Sequence, residues 1–475
     1  MALVVYNTMR REKEAFRPLE HGHVRMYVCG PTVYDSSHLG HARSAVVFDV
    51  VFRYLVAVGY KVTYVRNFTD VDDKIIKRAG ELGTDTATVA RRYMREFHED
   101  MDALGVRRAT VEPLATEHIG QIIGIVERLV EKGCAYEMDG DVYFSVDTYE
   151  GYGKLSGRKL DEMEAGARVE VNERKRNPFD FVLWKGAKPG EPMWDSPWGK
   201  GRPGWHIECS AMSREHLGET FDIHGGGMDL IFPHHENEVA QSEAAFGKPL
   251  AVYWMHNGFV NINQEKMSKS LGNFLTVREI LKTYHPEAVR LFLLSKHYRS
   301  PIDFTPEALQ EATAALDRAY NVLLRMETTL EERPEPETAT GNFWKRFCES
   351  MDDDFNTAQA LGVLFEAVRH GNRMLDGATG FRAGKEAAQG RGEILSMGAV
   401  LGLFGEPPAH YFEHKTSQAV GDAAIDVGEV ERLVAQRTEA RKARDWKAAD
   451  AIRDRLASMG IRVEDAGGGT VWKKA

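Results

Sequence analysis

A chain of 475 residues is too long for one hydrophobic core and is expected to form two to four domains. With 43% hydrophobic and 28% charged residues it has the composition of a globular protein, and it holds no run of about 18 apolar residues that would read as a membrane span. Four cysteines are too few for a disulfide framework, and a formal net charge of −10 excludes a global attraction to nucleic acid, though not a local basic face. The N-terminal stretch soon meets Arg10, Arg11, Glu12 and Lys13, without the apolar core of a signal peptide, so a cytoplasmic protein is expected.

Met26 to Cys29 reads as a short buried strand, broken by Gly30 and Pro31. From Ser44 to Gly59 the apolar residues Val47, Val50, Val51, Tyr54, Leu55 and Val58 follow a helical repeat, with Gly59 as terminator. Lys61 to Val65 is again strand-like. Strand, loop, helix and strand make a βαβ unit with parallel strands, and ligands sit at the carboxyl ends of such strands. His38-Leu39-Gly40-His41 lies there, between the first strand and its helix. Residues 80–135 look mainly helical. The segment 136–200 is rich in Gly, Pro, Asp and Trp and reads as an insertion. Strand and helix alternation returns over 201–304, helices fill 305–404 apart from a Pro/Glu-rich stretch at 333–337, and 405–426 is a linker. The segment 427–475 holds a charged helix followed by Gly467-Gly468-Gly469. The expected fold class is therefore α/β: a Rossmann-like parallel-sheet domain split into 1–135 and 201–304, a helical bundle, and a small C-terminal domain.

Histidines at a helix start can hydrogen-bond a phosphate, because the amides and macrodipole there favour an anion. Gly40 leaves room for an adenine ring against the backbone. Two surface histidines at a turn are the plainer alternative. Further on, Lys266-Met267-Ser268-Lys269-Ser270 places two ammonium groups and two hydroxyls in one loop, able to hold ATP phosphates during attack on the α-phosphate. In this order, on two halves of one α/β sheet, the two segments resemble the HIGH and KMSKS signatures of class I aminoacyl-tRNA synthetases, with Leu39 in place of the usual isoleucine. The resemblance implies catalytic roles for His38, His41, Lys266 and Lys269, and ATP contacts from Gly30, His38, Gly40, His41, Lys266, Ser268 and Lys269. Magnesium is expected with the ATP.

Cys29 ends the first strand beside the histidine loop. Cys209, and the pair His234 and Glu238 four residues apart on a helix starting near Pro233, would complete a tetrahedral zinc shell of two thiolates, an imidazole and a carboxylate. Core packing is the alternative for an isolated cysteine and suits Cys134 and Cys348. The segments Tyr27–Asp35, Arg66–Lys74, Trp205–Cys209 and Phe221–Leu230 all resemble cysteinyl-tRNA synthetases, and the likeness runs through nearly the whole chain. It implies zinc on Cys29, Cys209, His234 and Glu238, and a cysteine pocket of Thr69, Trp205, His206, His224 and Asp229. Gly225-Gly226-Gly227 would bring backbone to the ligand. Zinc binds a thiolate far better than an alcohol, so it would separate cysteine from serine at the binding step, and no editing site is expected.

The implied partners are L-cysteine, ATP and tRNA(Cys), with no membrane and a monomeric chain. The domains then become a catalytic domain (1–135 and 201–304) with a connective insertion (136–200), a helical tRNA-binding domain (305–404), a linker (405–426) and an anticodon-binding domain (427–475). The stretch Gln436–Lys447 is basic with an aromatic, suited to phosphate contact and base stacking, or else is an amphipathic helix with a solvated face. Lys74 and Lys77 read as a solvated helix face. Two other functions compete: a cysteine ligase acting on an amino sugar, against which the full C-terminal region of this chain argues, and a catalytically silent tRNA-binding paralogue, against which the retention of His38, His41, Lys266 and Lys269 argues.

Overall fold

The computed structural model describes residues 2–158, 175–262, 265–266, 275–329, 341–377, 381–413, 427–443, 445–458, 461–466 and 469–474. The chain forms two compact units, Met1–Gly405 and Glu406–Ala475.

The first unit opens with an antiparallel hairpin, β1 (Val4–Asn7) and β2 (Glu12–Ala15). Then come β3 (His23–Val28), α1 (Leu39–Ala57) and β4 (Lys61–Arg66), with β3 and β4 parallel from His23↔Lys61 to Val28↔Arg66. The expected βαβ unit is present. Its helix starts at Leu39, ahead of the apolar repeat, with His38 as its cap, so the histidine segment stands at a helix start as expected. Helices α2 (Asp73–Leu82), α3 (Thr86–Ala103) and α4 (Ile119–Glu131) follow, the first two N-capped by Asp72 and Asp85.

The inserted region is a four-stranded antiparallel sheet of β5 (Ala135–Met138), β6 (Asp141–Phe144), β7 (Phe181–Gly186) and β8 (Gly201–Pro203). Its last strand lies beyond the boundary expected at residue 200. Too short and polar to show an alternation, β8 is drawn in by pairing with β7 at Trp184↔Pro203 and Gly186↔Gly201. Phe144, Leu183 and Trp184 of this sheet are fully buried in one core with Ile122 and Val126 of α4.

The main sheet is completed by α5 (Trp205–Leu217), β9 (Phe221–Gly227), α6 (Glu236–Phe246) and β10 (Ala251–Asn257). Its strands run β10-β9-β3-β4, all parallel. From β3 the chain goes to one side for β4 and returns to the other for β9. This reversal opens a crevice outside the carboxyl ends of β3 and β9, where α/β sheets bind ligands.

Three short strands stand beside it: β11 (Val260–Ile262) pairs antiparallel with β12 (Glu265–Lys266) and parallel with β13 (Ile302–Phe304). Between them lie α7 (Val277–Leu281) and α8 (Pro286–Leu294). The fully buried Arg290 of α8 bonds Asp49 of α1 and donates to the carbonyls of Leu104 and Leu401. The remainder of the unit is helical: α9 (Pro306–Thr329), α10 (Asn342–Met351), α11 (Thr357–Gly377) and α12 (Phe381–Leu401). The Pro/Glu-rich residues 333–337 lie outside the described residues.

In the second unit, residues 408–413 are helical rather than linker, and 414–426 lie outside the described residues. The single charged helix expected after residue 427 is two helices, α13 (Val427–Lys442) and α14 (Trp446–Ser458), followed by an antiparallel hairpin of β14 (Ile461–Ala466) and β15 (Gly469–Lys474). The break comes at Asp445, whose carboxylate accepts from the amide of Ala448 as an N-cap. Among the described residues, no helix is long and apolar enough to cross a membrane.

Candidate active site and metal centre

The carboxyl ends of all four main strands converge on a cavity of about 390 Å³. Cys29 and Gly30 follow β3, Arg66 ends β4, Gly227 ends β9 and Asn257 ends β10, and each lines the cavity. His38, Gly40 and His41 line it at the start of α1.

The His38 ring caps the first helix of the sheet. Its Nδ1 accepts from the amides of Gly40 (3.0 Å) and His41 (3.4 Å), capping α1. In the neutral ring the proton then sits on Nε2, which makes that nitrogen a donor suited to an anion. His41 stacks on His38 with ring centroids 3.7 Å apart. Gly30 is required by contact: its amide donates to Asn67 Oδ1 at 2.9 Å, and a Cβ there would stand 1.6 Å from the Asn67 carbonyl oxygen.

Of the lysine loop, Lys266 is described only as backbone of β12, paired with Asn261 of β11; Ser268 and Lys269 lie outside the described residues. Both flanks of the loop are nevertheless tied to the histidine segment. On one side, β11 begins at Val260, in the cavity wall. On the other, the Leu39 amide donates to the Leu275 carbonyl at 3.3 Å and the Val277 amide to the Ser37 carbonyl at 2.9 Å.

The cysteine–histidine–glutamate set comes together from three separate stretches of chain. Ligand atoms of Cys29, Cys209, His234 and Glu238 all lie within 4.8 Å of one another. Cys29 Sγ stands 3.6 Å from Cys209 Sγ and 3.5 Å from Glu238 Oε1, and His234 Nε2 is 3.1 Å from Glu238 Oε1. Cys209 lies on α5. His234 lies in a turn of wider helix, Ile231–His235, that leads into α6 and Glu238. A second set overlaps the first: Cys29, His224, His235 and Glu238.

Burial pushes the Glu238 carboxyl and the Cys29 thiol well above their usual ranges and pushes His234 and His235 well below the usual imidazole range. The Cys29 thiol and the Glu238 carboxylic acid are poorly placed as anions on their own. A divalent cation among them would supply the missing charge and hold them as thiolate and carboxylate. The donor set fits a borderline-soft ion such as zinc.

The cysteine-pocket candidates fall into two groups. Trp205 and Asp229 line the cavity, and Trp205 stacks on His234 with centroids 4.2 Å apart. His206 bonds His234, Nδ1 to Nδ1 at 2.9 Å, and faces an adjoining cleft of about 850 Å³ that Trp205 also borders. Thr69 and His224 are sealed behind the wall: Thr69 Oγ1 donates to Glu208 at 2.9 Å, and His224 Nε2 stands 2.9 Å from Glu238 Oε2. Of the three glycines expected to approach a ligand, only Gly227 reaches the cavity. Cβ atoms at Gly225 and Gly226 would meet Phe48 at 2.3 Å and His235 at 2.8 Å, so those two serve packing.

Three residues were not singled out from the sequence. Asn67 holds Gly30, while His235 and His256 lie behind Cys29. A lone histidine on an apolar strand carries no signal of its role. Lys74, read as part of a solvated face, also lines the cavity, with its ammonium 5.4 Å over the Tyr34 ring.

Comparison with known proteins was made on sequence and on fold. Residues 15–314 match a family model described as tRNA synthetases class I (C) catalytic domain, 346–405 a DALR domain, and 427–472 a cysteinyl-tRNA ligase anticodon binding domain. A cysteine–tRNA ligase of Geobacter sulfurreducens is 57% identical over 481 residues, and one of Geobacter metallireducens 56% over 483, each match covering 100% of both chains. Among solved structures, a Mycobacterium tuberculosis methionyl-tRNA synthetase bound by methionyl-adenylate aligns with TM-score 0.56 at 16% identity, covering 79% of this chain and 88% of that one. A LeuRS of Agrobacterium radiobacter aligns with TM-score 0.58 at 11% identity, covering 83% and 87%. The structural likenesses speak for the fold alone. The sequence matches run the full length, and the chain belongs to the cysteinyl-tRNA synthetase family of class I aminoacyl-tRNA synthetases.

Proposed function

We propose that this chain activates L-cysteine with ATP, releasing pyrophosphate, and transfers the cysteinyl group to the terminal ribose of tRNA(Cys). The carrying observation is adjacency: Cys29, a member of the candidate metal set, lines the same cavity as His38, Gly40 and His41. In this reading the cysteine carboxylate attacks the α-phosphate of ATP, and the protein supplies position and charge rather than a nucleophile. The Nε2–H of His38 and the α1 amides meet the phosphates. Lys266 and Lys269, with Ser268, supply charge and a hydroxyl to the phosphates, and magnesium accompanies the ATP. Asp229 takes the substrate ammonium and Trp205 walls the pocket. Thr69 and His224 act by holding Glu208 and Glu238.

Zinc on Cys29, Cys209, His234 and Glu238 would supply selection of a sulfur over a hydroxyl. The second unit, with Trp446 58% exposed at the start of α14, takes the anticodon region. The family match over 427–472 supports that assignment and speaks against the amino-sugar ligase, which lacks such a region.

Cysteine-dependent ATP–pyrophosphate exchange, followed by transfer to tRNA or to an amino sugar, tests the reading. Exchange with tRNA charging is expected. Absence of exchange would sink it, and exchange with transfer only to an amino sugar would replace it.

A further inference from the structure

Behind Cys29 lies a chain of hydrogen bonds that the activation chemistry does not use. His235 Nε2 stands 3.3 Å from Cys29 Sγ. His235 Nδ1 is 2.8 Å from His256 Nε2, and His256 Nδ1 is 2.8 Å from Thr8 Oγ1. His235 is fully buried and His256 nearly so. The three groups come from distant parts of the chain: the first hairpin, the turn before α6, and β10.

We propose that His235 is a positioning residue that donates a hydrogen bond to the Cys29 sulfur, with its tautomer set in turn by His256 and Thr8. The inference rests on the metal reading of Cys29, Cys209, His234 and Glu238. A metal-bound thiolate accepts and cannot donate, so His235 must carry its proton on Nε2. Its Nδ1 is then an acceptor, which puts the His256 proton on Nε2. The His256 Nδ1 then accepts from the Thr8 hydroxyl. One polarity satisfies every link, and each neutral ring gives and takes one bond.

The overlapping set offers a competing role, in which His235 is itself a ligand together with His224. That assignment reverses the polarity of the whole chain. It also leaves the buried Cys209 thiol, 3.6 Å from Cys29 Sγ, without a ligand role. The first set instead includes His234, stacked under the cavity-lining Trp205. A hydrogen bond to a thiolate draws off part of its charge. The thiolate then donates less to the metal, which is left more electrophilic and binds an incoming thiolate more strongly. Such outer partners typically alter metal affinity by about 10- to 100-fold.

The test uses the full-length chain loaded with cobalt(II), reading the energy of the sulfur-to-cobalt charge-transfer band and the cobalt Kd. His235→Leu is expected to move the band to lower energy and change Kd by roughly 10-fold or more. His235→Gln, which keeps an N–H donor, stays near wild type. Thr8→Val moves the band in the same direction by less, and Thr8→Ser restores it. Band and Kd unchanged in His235→Leu would overturn the proposal. So would loss of cobalt uptake in His235→Leu with uptake retained in His234→Ala, which makes His235 a ligand. If His235→Leu does not fold, the Thr8 pair decides, and an unmoved band in Thr8→Val overturns the relay. A wild-type chain that takes up no cobalt overturns the metal reading itself, a result distinct from all of these.

Discussion

The most informative single residue is His38, because one ring caps α1 and, in the proposed function, also donates to ATP. The α1 amides of Gly40 and His41 occupy its Nδ1 and so fix where its proton sits. The jobs can be separated. Asn is among the best N-caps but has no group at the Nε2 position. His38→Asn is expected to hold its urea midpoint to within about 1 kcal/mol of wild type while ATP–pyrophosphate exchange falls roughly 100-fold or more. Equal losses in both would mean that the histidine is only a cap.

Gly30 sits under a different constraint, since any Cβ collides with backbone at Asn67. Gly30→Ala is expected to lower stability by about 1–3 kcal/mol through overpacking and to shift a cavity wall. An unchanged melting profile would count against it. Motif residues of this kind were legible in the sequence because their chemistry is local. His235, His256 and Asn67 were not, because their roles exist only once distant segments meet.

At the scale of elements, the βαβ unit was readable from periodicity: β3, α1 and β4 stand where the apolar repeat put them. The apolar repeat alone begins α1 too late, because capping by a histidine leaves no mark in an apolar pattern, whereas the histidine motif marks the start. Strand β8 and the division between α13 and α14 were missed for a similar reason. The first depends on its partner strand and the second on one aspartate cap. Nor does any pattern announce that Arg290 of α8 pairs with Asp49 of α1 with both side chains fully buried. Breaking such a pair leaves a charge without its partner. Arg290→Leu is expected to cost about 3–5 kcal/mol of unfolding free energy in urea titrations. A loss below about 1 kcal/mol would show that the pair is not holding α1 against α8.

At the scale of the whole molecule, the sheet switch point, the candidate metal set and both flanks of the lysine loop meet at one crevice. Ordering in the sequence pointed to this meeting, and the fold supplies the distances. Burial there has a measurable consequence for the metal-free chain. His224 and His256 are held neutral, with pKa values pushed down to about 3 by desolvation. Their unfolded value is about 6.5. The folded state therefore binds fewer protons below that value. Their contribution to stability is present above pH 6.5 and is lost as pH falls toward 3. The urea midpoint is expected to drop steadily below about pH 6.5, and His256→Gln should shallow that slope. A slope unaltered by the substitution would contradict the assignment.

The central claim is that the ATP cavity selects cysteine because a metal held by Cys29, Cys209, His234 and Glu238 stands at its wall. Sulfur coordination of the zinc-loaded chain, measured by X-ray absorption with and without substrate, tests it most directly. The account predicts two protein sulfurs on the metal in the free chain, a third sulfur when cysteine is added, and no change with serine. A sulfur count that cysteine leaves unaltered would contradict it.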